Sequence, residues 1–222
     1  DYAYHHVIQK IHNFCVHELG GVYLDIIKDR MYVTKSDSHA RISAQNALFE
    51  VADILIRLIS PILVFTAEEI WQSHELFKKQ SKSVFLCPQK ILNKIESSIS
   101  DKDWETIFYV KDIVNQNIEK ARSDKIIKGS LDAKISISCG EEIFNALNKI
   151  ENELKFVFIV SEVELNKSVN SDLNIDITNF DQIKCIRCWN KSASVGSIAE
   201  DPEICNRCNT NVYGDGEVRK FV

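Results

Sequence analysis

The chain has 222 residues, a length that suits one large domain or two smaller ones. Hydrophobic residues make up 45% of the sequence, which is enough for a core, and no apolar run approaches the roughly 20 residues that a membrane span needs. The net charge of −5 does not by itself indicate a nucleic-acid partner, and the N-terminal stretch lacks the features of a secretory signal. Seven cysteines, an odd number of which four form Cys-x-x-Cys pairs, argue against a secreted disulfide scaffold, so we expect a cytoplasmic protein with no membrane partner.

The first part of the sequence has the periodicity of helices. Between residues 4 and 15, apolar residues recur at the spacing of one helical face. Gly20-Gly21 should weaken that helix, which is expected to continue with a kink or to be replaced by a new helix from Tyr23. Asp37 or Ser38 can cap the helix that follows.

Two further helices are predicted, one beginning at Ser60-Pro61 and one at Trp104. Ser60-Pro61 ends one helix and begins another, because proline fits a first helical position but not an interior one. Residues 78–103 are polar and interrupted, which indicates a connection over the surface. Trp104 then opens a long helix that reaches about Lys125.

After Gly129 the pattern changes from helical to strand-like. Alternation from Leu131 to Ile137 predicts a half-buried strand, and residues 141–154 predict a short helix. The apolar run 156–160, with alternation through Leu165, predicts a second strand. The result is a small β-α-β piece, followed by a linker at 166–180.

Four of the seven cysteines form two Cys-x-x-Cys pairs with 16 residues between them, and these are Cys185, Cys188, Cys205 and Cys208. Such pairs present four thiolates to one tetrahedral zinc ion. The surrounding segment is rich in Ser, Asn and Asp and cannot form its own core, so a metal would supply the folding energy. A closed set of four thiolates leaves no position for water, so the sequence predicts one structural zinc.

Other uses of the cysteines fit less well. Redox-active pairs lie at helix starts in thioredoxin-like folds, a context that is missing here, and iron on the same thiolates is the remaining alternative. Lys184, Arg187 and Arg207 would offset the negative charge of a tetrathiolate zinc centre. The remaining cysteines stand alone and are expected to be buried, inert thiols: Cys15, Cys87 and Cys139.

A short basic run lies near the end of the long helix. Lys120, Arg122, Lys125 and Lys128 face a single acid, Asp124, and such a run is either a solvated face or a phosphate-binding surface. The six histidines form no ligand pair with an acid, and neither a glycine-rich phosphate loop nor a Ser/His/Asp set is visible. We therefore expect no catalytic residue in this chain.

Read in order, several stretches resemble the C-terminal region of bacterial isoleucyl-tRNA synthetases. Each stretch is only moderately specific, but their order and the terminal cysteine module are highly specific, and the resemblance covers essentially the whole chain. The stretches are YLDIIKDRMY (23–32), PILVFTAEEIW (61–71), SVFL (83–86), EKARSDKIIKGSLDAK (119–134) and KCIRCWN (184–190).

The resemblance implies a multi-domain α+β fold with three parts. These are a helical-bundle anticodon-binding domain (1–103), a long helix with a small α/β junction domain and linker (104–180), and a four-cysteine zinc ribbon or knuckle (181–222). It also implies that the chain binds the anticodon stem-loop of isoleucine tRNA. ATP binding, aminoacylation and editing would belong to other domains of the same parent chain, so we expect this monomeric piece to be inactive alone.

The same resemblance directs attention to particular RNA contacts. It strengthens the phosphate-binding interpretation of Lys120, Arg122, Lys125 and Lys128, although the family usually has glycine where this chain has Lys128. We add two residues of the first cysteine knuckle as candidate tRNA contacts. Trp189 can stack on an unstacked anticodon base or pack over the knuckle, and Arg187 precedes it by two residues.

Two other functions remain open from the sequence. The cysteine spacing also resembles the zinc finger of formamidopyrimidine-type DNA glycosylases, but those need an N-terminal catalytic proline and this chain starts with Asp1. A structural zinc ribbon that binds only protein is the third possibility, and the net charge of −5 mildly favours it.

Overall fold

Helices form most of the structure, with a small sheet and a cysteine cluster in its second half, in agreement with the predicted mixture of helices and strands. The computed structural model describes residues 3–91, 96–169 and 172–222. The chain divides into two compact units, Asp1–Arg41 with Ser98–Val222 and Ile42–Ser97. Within the described part of the chain, no helix is both long and apolar enough to cross a membrane.

The first helices follow one another without a break. Helix α1 (Tyr4–Asn13) passes into a π-helical segment (Phe14–Tyr23) and then into α2 (Leu24–Tyr32). Gly20 lies inside the π-helical segment, where a Cβ atom would stand 2.9 Å from the carbonyl oxygen of Cys15. The glycine therefore permits the wide helical turn, because any side chain there would collide with the backbone one turn earlier.

Helix α3 (His39–Ile59) begins next to one of its two predicted caps. The backbone N–H of Arg41 donates to the Ser38 hydroxyl oxygen at 3.3 Å, so the side chain satisfies one of the free donors of the first turn. At the other end, the backbone N–H groups of Ile62 and Leu63 both donate to the carbonyl of Ile59. Because of this turn, the helix that was predicted to start at Pro61 begins only at Val64.

The second unit has its own small core. Helices α4 (Val64–Ser73) and α5 (Glu75–Gln80) follow the turn. Trp71 of α4 is fully buried, stacks on Phe77 of α5 and donates its indole N–H to the carbonyl of Ser81 at 2.9 Å. The buried residues of this core are Ile56, Ala67, Trp71, Phe77 and Val84.

Helix α6 (Asp101–Ser123) starts at a capping box. The Asp103 carboxylate accepts hydrogen bonds from the backbone N–H of Ser100 at 2.9 Å and from Lys149 Nζ at 2.6 Å. The bond from Lys149, followed by the bonds from Ser100, lowers the pKa of Asp103 from about 3.8 to about 2. The buried face of α6 includes four of the six apolar positions that the helical period predicts, Ile107, Val110, Val114 and Ile118, whereas Ile113 is half-buried and Phe108 is exposed.

A three-stranded sheet packs beside α6 in the order β2-β1-β3. Strand β1 (Ala133–Cys139) pairs in parallel with β2 (Glu162–Lys167) and antiparallel with β3 (Asn174–Asn179). Every second residue of β1 is buried, which is the alternation expected of a strand with one face in the core. The parallel pair requires a crossover, and α7 (Glu141–Asn148) lies within it.

The sequence-based prediction was wrong in two places around this sheet. The run 156–160, predicted as the start of a strand, is largely helix α8 (Leu154–Phe158), and β2 begins only at Glu162. The error has a physical cause, because nearly every residue of the run is buried and the run has no period to distinguish helix from strand. The predicted linker 166–180 contains β3, whose half-buried Ile175 and Ile177 alternate with polar residues.

The last residues of the chain are held against α8. The Glu153 carboxylate accepts three consecutive backbone N–H groups, from Lys220 at 2.6 Å, Phe221 at 3.0 Å and Val222 at 2.6 Å. Val222 is buried in the core that α6 forms with strand β1, and the Arg219 guanidinium lies 3.3 Å from the centre of the Phe156 ring. We call residues 214–222 the terminal segment.

Candidate metal centre and nucleic-acid interface

Two different local structures present the four thiols. Cys185 and Cys188 lie in a tight turn that is closed by hydrogen bonds from Trp189 N–H to Cys185 O at 3.0 Å and from Cys185 N–H to Asn190 O at 2.9 Å. Cys205 precedes helix α9 (Asn206–Tyr213), and Cys208 lies in the first turn of that helix. Both arrangements point two sulfurs of a Cys-x-x-Cys pair to one side of the backbone.

The four buried sulfurs meet at one point. All of them lie within 4.8 Å of one another, with 3.7 Å between Cys185 and Cys208 and 3.8 Å between Cys188 and Cys205. Sulfurs at about 2.3 Å from a tetrahedral zinc ion are about 3.8 Å apart, so the geometry fits that ion without rearrangement. None of the four is in a disulfide. The cluster is a site for one structural zinc.

Crowding of the thiols changes their proton affinities. Cys188 has a lowered pKa, because it accepts hydrogen bonds from Cys205 and Cys208. The same hydrogen bond raises the pKa of Cys208, because the Cys208 thiol is its donor and must keep the proton. Four adjacent sulfurs cannot all be deprotonated without a cation among them, and a divalent metal ion is the group that permits this.

The three basic residues predicted to offset the thiolate charge have different surroundings. Arg187 Nη1 lies 3.6 Å from Cys208 Sγ and also donates to the carbonyl of Val33 at 2.8 Å. Arg207 is bound by carboxylates, and Lys184 lies 5.9 Å from the centre of the Trp189 ring. Among these three, Arg187 makes the direct contact with sulfur.

Asp29 is a residue of this site that sequence reasoning did not identify. Its carboxylate accepts two hydrogen bonds from Arg207, at 2.7 and 2.8 Å, and one from Arg219 at 2.9 Å. These bonds join α2 to the cysteine module and to the terminal segment. The partners lie 178 and 190 positions from Asp29, so no local pattern in the sequence indicates the contact.

Trp189 lies on the surface of the first knuckle. Trp189 is 62% exposed, and its backbone has a φ of 65°. Positive φ is rare for a bulky residue, since the Cβ atom crowds the backbone.

The basic run lies at the end of α6 and in the loop that follows it. Lys120 and Arg122 are in the last helical turn, Lys125 has a left-handed backbone with a φ of 60°, and Lys128 precedes β1. All four side chains are exposed. Arg122 is paired with Glu119 at 2.7 Å, whereas the three lysines have no carboxylate partner among the residues that the structure describes.

Two protein families match parts of this chain. The family described as the anticodon-binding domain of tRNA ligase matches residues 1–137. The family described as a zinc finger found in FPG and IleRS matches residues 182–211, which include all four cysteines of the cluster.

Curated relatives are similar to the chain over almost its whole length. It is 40% identical to the isoleucine–tRNA ligase of Teredinibacter turnerae over 99% of this chain and 25% of that protein. It is 41% identical to the enzyme of the same name from Acinetobacter baylyi and 42% identical to that from Alcanivorax borkumensis, over 100% and 99% of this chain. The chain spans about a quarter of the length of these relatives.

Proposed function

The chain belongs to the anticodon-binding domain family of tRNA ligases, and from this we propose that it is the tRNA-binding part of an isoleucine–tRNA ligase. One observation carries the proposal. Similarity at about 40% identity to isoleucine–tRNA ligases extends through the helices, the sheet and the cysteine module alike. A shared zinc finger alone would match only the last part of the chain.

In the proposed enzyme, this part holds the anticodon stem-loop of isoleucine tRNA. Activation of isoleucine with ATP and editing take place in the other domains of the parent chain, which are its covalent partners. We divide this part into the domains 1–103, 104–180 and 181–222. We further propose a monomeric enzyme in the cytoplasm, a reducing compartment that suits the seven free thiols.

The exposed end of α6 is the proposed phosphate-binding surface. Lys120, Lys125 and Lys128 are cations without a carboxylate partner in the described structure, and Arg122 adds a fourth. Unpaired cations attract the RNA backbone and release its counterions when they bind it. Positioning of the stem, without base specificity, is the function that such contacts can provide.

The surface of the first cysteine knuckle is the proposed base-binding surface. The exposed ring of Trp189 can stack on an unpaired anticodon base, since stacking on aromatic side chains is a common way to bind single-stranded RNA. Arg187 lies in the same turn, and the bonds described for it use only its Nη1 nitrogen. The other guanidinium N–H groups are donors that RNA can use.

Two alternatives predict different partners. A glycosylase-type zinc finger would bind duplex DNA with a damaged base, and a structural zinc ribbon would bind protein alone. The match to an anticodon-binding domain over 1–137 favours RNA over both, because it covers a part of the chain outside the zinc finger.

Direct binding measurements separate these possibilities. The zinc-loaded 222-residue chain is titrated with the anticodon stem-loop of isoleucine tRNA, with the same stem-loop carrying a changed anticodon, and with duplex DNA containing an oxidised base. We expect the tightest binding to the first, with affinity falling as salt rises. A preference for the DNA duplex would overturn the proposal in favour of the glycosylase type. No binding to any of the three would overturn it in favour of the protein-binding ribbon.

A further inference from the structure

A groove of about 480 Å³ opens between α2 and the first cysteine knuckle, within the first compact unit. We call it the aromatic groove and define it by Ile26, Tyr32, Lys155, Phe156, Ile159 and Trp189. Its lining is mainly apolar, and its volume lies within the range of about 300 to 1,000 Å³ that is usual for small-molecule sites. The groove therefore has the size and character to accept one aromatic ring system.

Two large aromatic side chains at the groove are left exposed. Tyr32 is the last residue of α2 and is 76% exposed, and Trp189 is 62% exposed. What distinguishes these two rings from other exposed aromatics is that both lie at one apolar groove, where they offer ring faces to another molecule.

The backbone of the groove is also unusual. In the part of the chain that the structure describes, three residues other than glycine have positive φ, and two of them, Ile159 at 56° and Trp189 at 65°, line the groove. A β-branched or bulky residue is strained in this conformation, and such strain is concentrated at functional sites.

Two cations line the groove without a carboxylate partner among the described residues, Lys155 and Arg187, and Arg187 donates to the Val33 carbonyl and lies against Cys208 Sγ. Lys28 is paired with Asp25 at 2.6 Å, and Asp29 is bound by Arg207 and Arg219. Lys155 has no carboxylate partner among the described residues, and its Nζ lies 5.3 Å from the centre of the Phe156 ring. The groove thus combines aromatic walls with two cations that have no carboxylate partner in the described structure, which complements a base joined to a phosphate.

We propose that the aromatic groove binds one unstacked base of the anticodon loop, with Tyr32 as a stacking wall in addition to Trp189 and with Lys155 on the adjoining phosphate. The inference rests on the proposed function, because it needs RNA at the cysteine module. Every base has a π-face that can stack on a ring, and a single lysine contacts a phosphate as a point charge.

The test uses the zinc-loaded 222-residue chain and a series of anticodon stem-loops in which each loop base is removed in turn. Replacement Tyr32→Leu should weaken binding to the intact RNA by about 5- to 150-fold, the range for one base–aromatic stack. Tyr32→Phe should bind like the parent, because it keeps the ring. On one abasic RNA, Tyr32→Leu should make no further difference. The matched control is Tyr109→Leu, which removes an exposed tyrosine from outside the groove.

Lys155 is tested through the salt dependence of the same binding. Lys155→Gln should lower the slope of log affinity against log salt by about 0.7, the value for one contact with single-stranded phosphate. The control Lys102→Gln, at a lysine that is paired with Glu142 outside the groove, should leave the slope unchanged.

The outcomes separate this inference from the proposed function. If the parent chain does not bind the stem-loop, both are overturned. If the parent binds, and Tyr32→Leu and Lys155→Gln bind every RNA as the parent does, only the groove proposal is overturned. The groove would then be assigned to binding of an apolar protein segment. Equal weakening by Tyr32→Leu on every abasic RNA also overturns it, because the effect would then not depend on a base.

Discussion

Trp189 combines an exposed ring with a strained backbone, and the combination argues against a purely packing function. Replacement of Trp189 by alanine should weaken binding of the cognate stem-loop by about 1–3 kcal/mol, the usual contribution of one base–aromatic stack. The loss should be smaller with a changed anticodon. Fluorescence titration of both RNAs against the parent and the variant measures the difference.

The control for Trp189 is the metal content and the fold of the variant. If the variant keeps one zinc and the parent's circular dichroism, yet binds both RNAs as the parent does, then Trp189 is a packing residue of the knuckle and the stacking proposal fails.

Asp103 gives a pH-dependent prediction at the start of α6. Its pKa is lowered in the folded chain to about 2, so the ionised form is the one that stabilises the fold. The contribution is complete above about pH 4 and is lost as the pH falls towards 2. The melting temperature of the parent should therefore exceed that of Asp103→Asn by a constant margin from pH 7 to 5, and the margin should shrink below pH 4. A margin that grows on acidification contradicts the assignment.

Single residues also show what a sequence can reveal about this site. The four cysteines were predictable, because paired spacing is a local signal for a metal site. The bonds of Asp29 with Arg207 and Arg219 were not, since they depend on how α2 packs against residues about 180 positions away. The open face of Trp189 likewise depends on the turn that holds it.

At the scale of elements, the end of α6 and its loop are expected to act on RNA as a unit. The double replacement Lys125→Gln/Lys128→Gln should weaken binding of any RNA, because phosphate contacts carry no sequence information. It should lower the salt slope by about 0.7 to 0.9 for each contact that is lost. Affinities measured at several salt concentrations give the slope.

The matched control for the basic run removes two lysines that already have carboxylate partners, Lys102 and Lys167. Both double variants change the net charge equally. Equal slopes for the two variants would show that overall charge, and not this particular surface, determines the salt dependence.

The zinc module gives the next prediction. The variant Cys205→Ser/Cys208→Ser should lose its metal, because the remaining pair supplies only two of the four thiolates. Elemental analysis should find about one zinc per parent chain and little in the variant. The control Cys15→Ser/Cys87→Ser changes two thiols outside the cluster and should retain zinc. Less than about half an equivalent in a metal-replete parent would refute the site.

Elements differed in how well the sequence predicted them. The long helix α6 was predictable from its period, and β1 from its alternation. Helix α8 was not, because burial on all sides removes the period on which the distinction depends. Strand β3 carried a signal in Ile175 and Ile177, but the abundance of polar residues around it favoured a linker.

At the scale of the whole molecule, the expected result is an enzyme part that binds but does not catalyse. The chain spans about a quarter of its relatives and shows no phosphate loop in its sequence. It should therefore give no isoleucine-dependent exchange between ATP and pyrophosphate, and a full-length isoleucine–tRNA ligase serves as the positive control. Exchange by the chain alone would require a nucleotide site that the sequence does not indicate.

The bonds of the Glu153 carboxylate to the terminal segment would link zinc binding thermodynamically to the docking of residues 220–222. Glu153 and its partner Lys220 are 67 residues apart, and all four cysteines lie in the loop between them. A zinc ion bound by the four cysteines would shorten that loop, and Glu217 joins the segment to Arg207, which precedes Cys208 in the sequence. Zinc binding and the Glu217–Arg207 bond would each raise the effective concentration of the last three amides at the Glu153 carboxylate. By reciprocity, docking of these amides would in turn tighten zinc binding, and we therefore expect the terminal segment to stabilise the zinc centre from outside its ligand set.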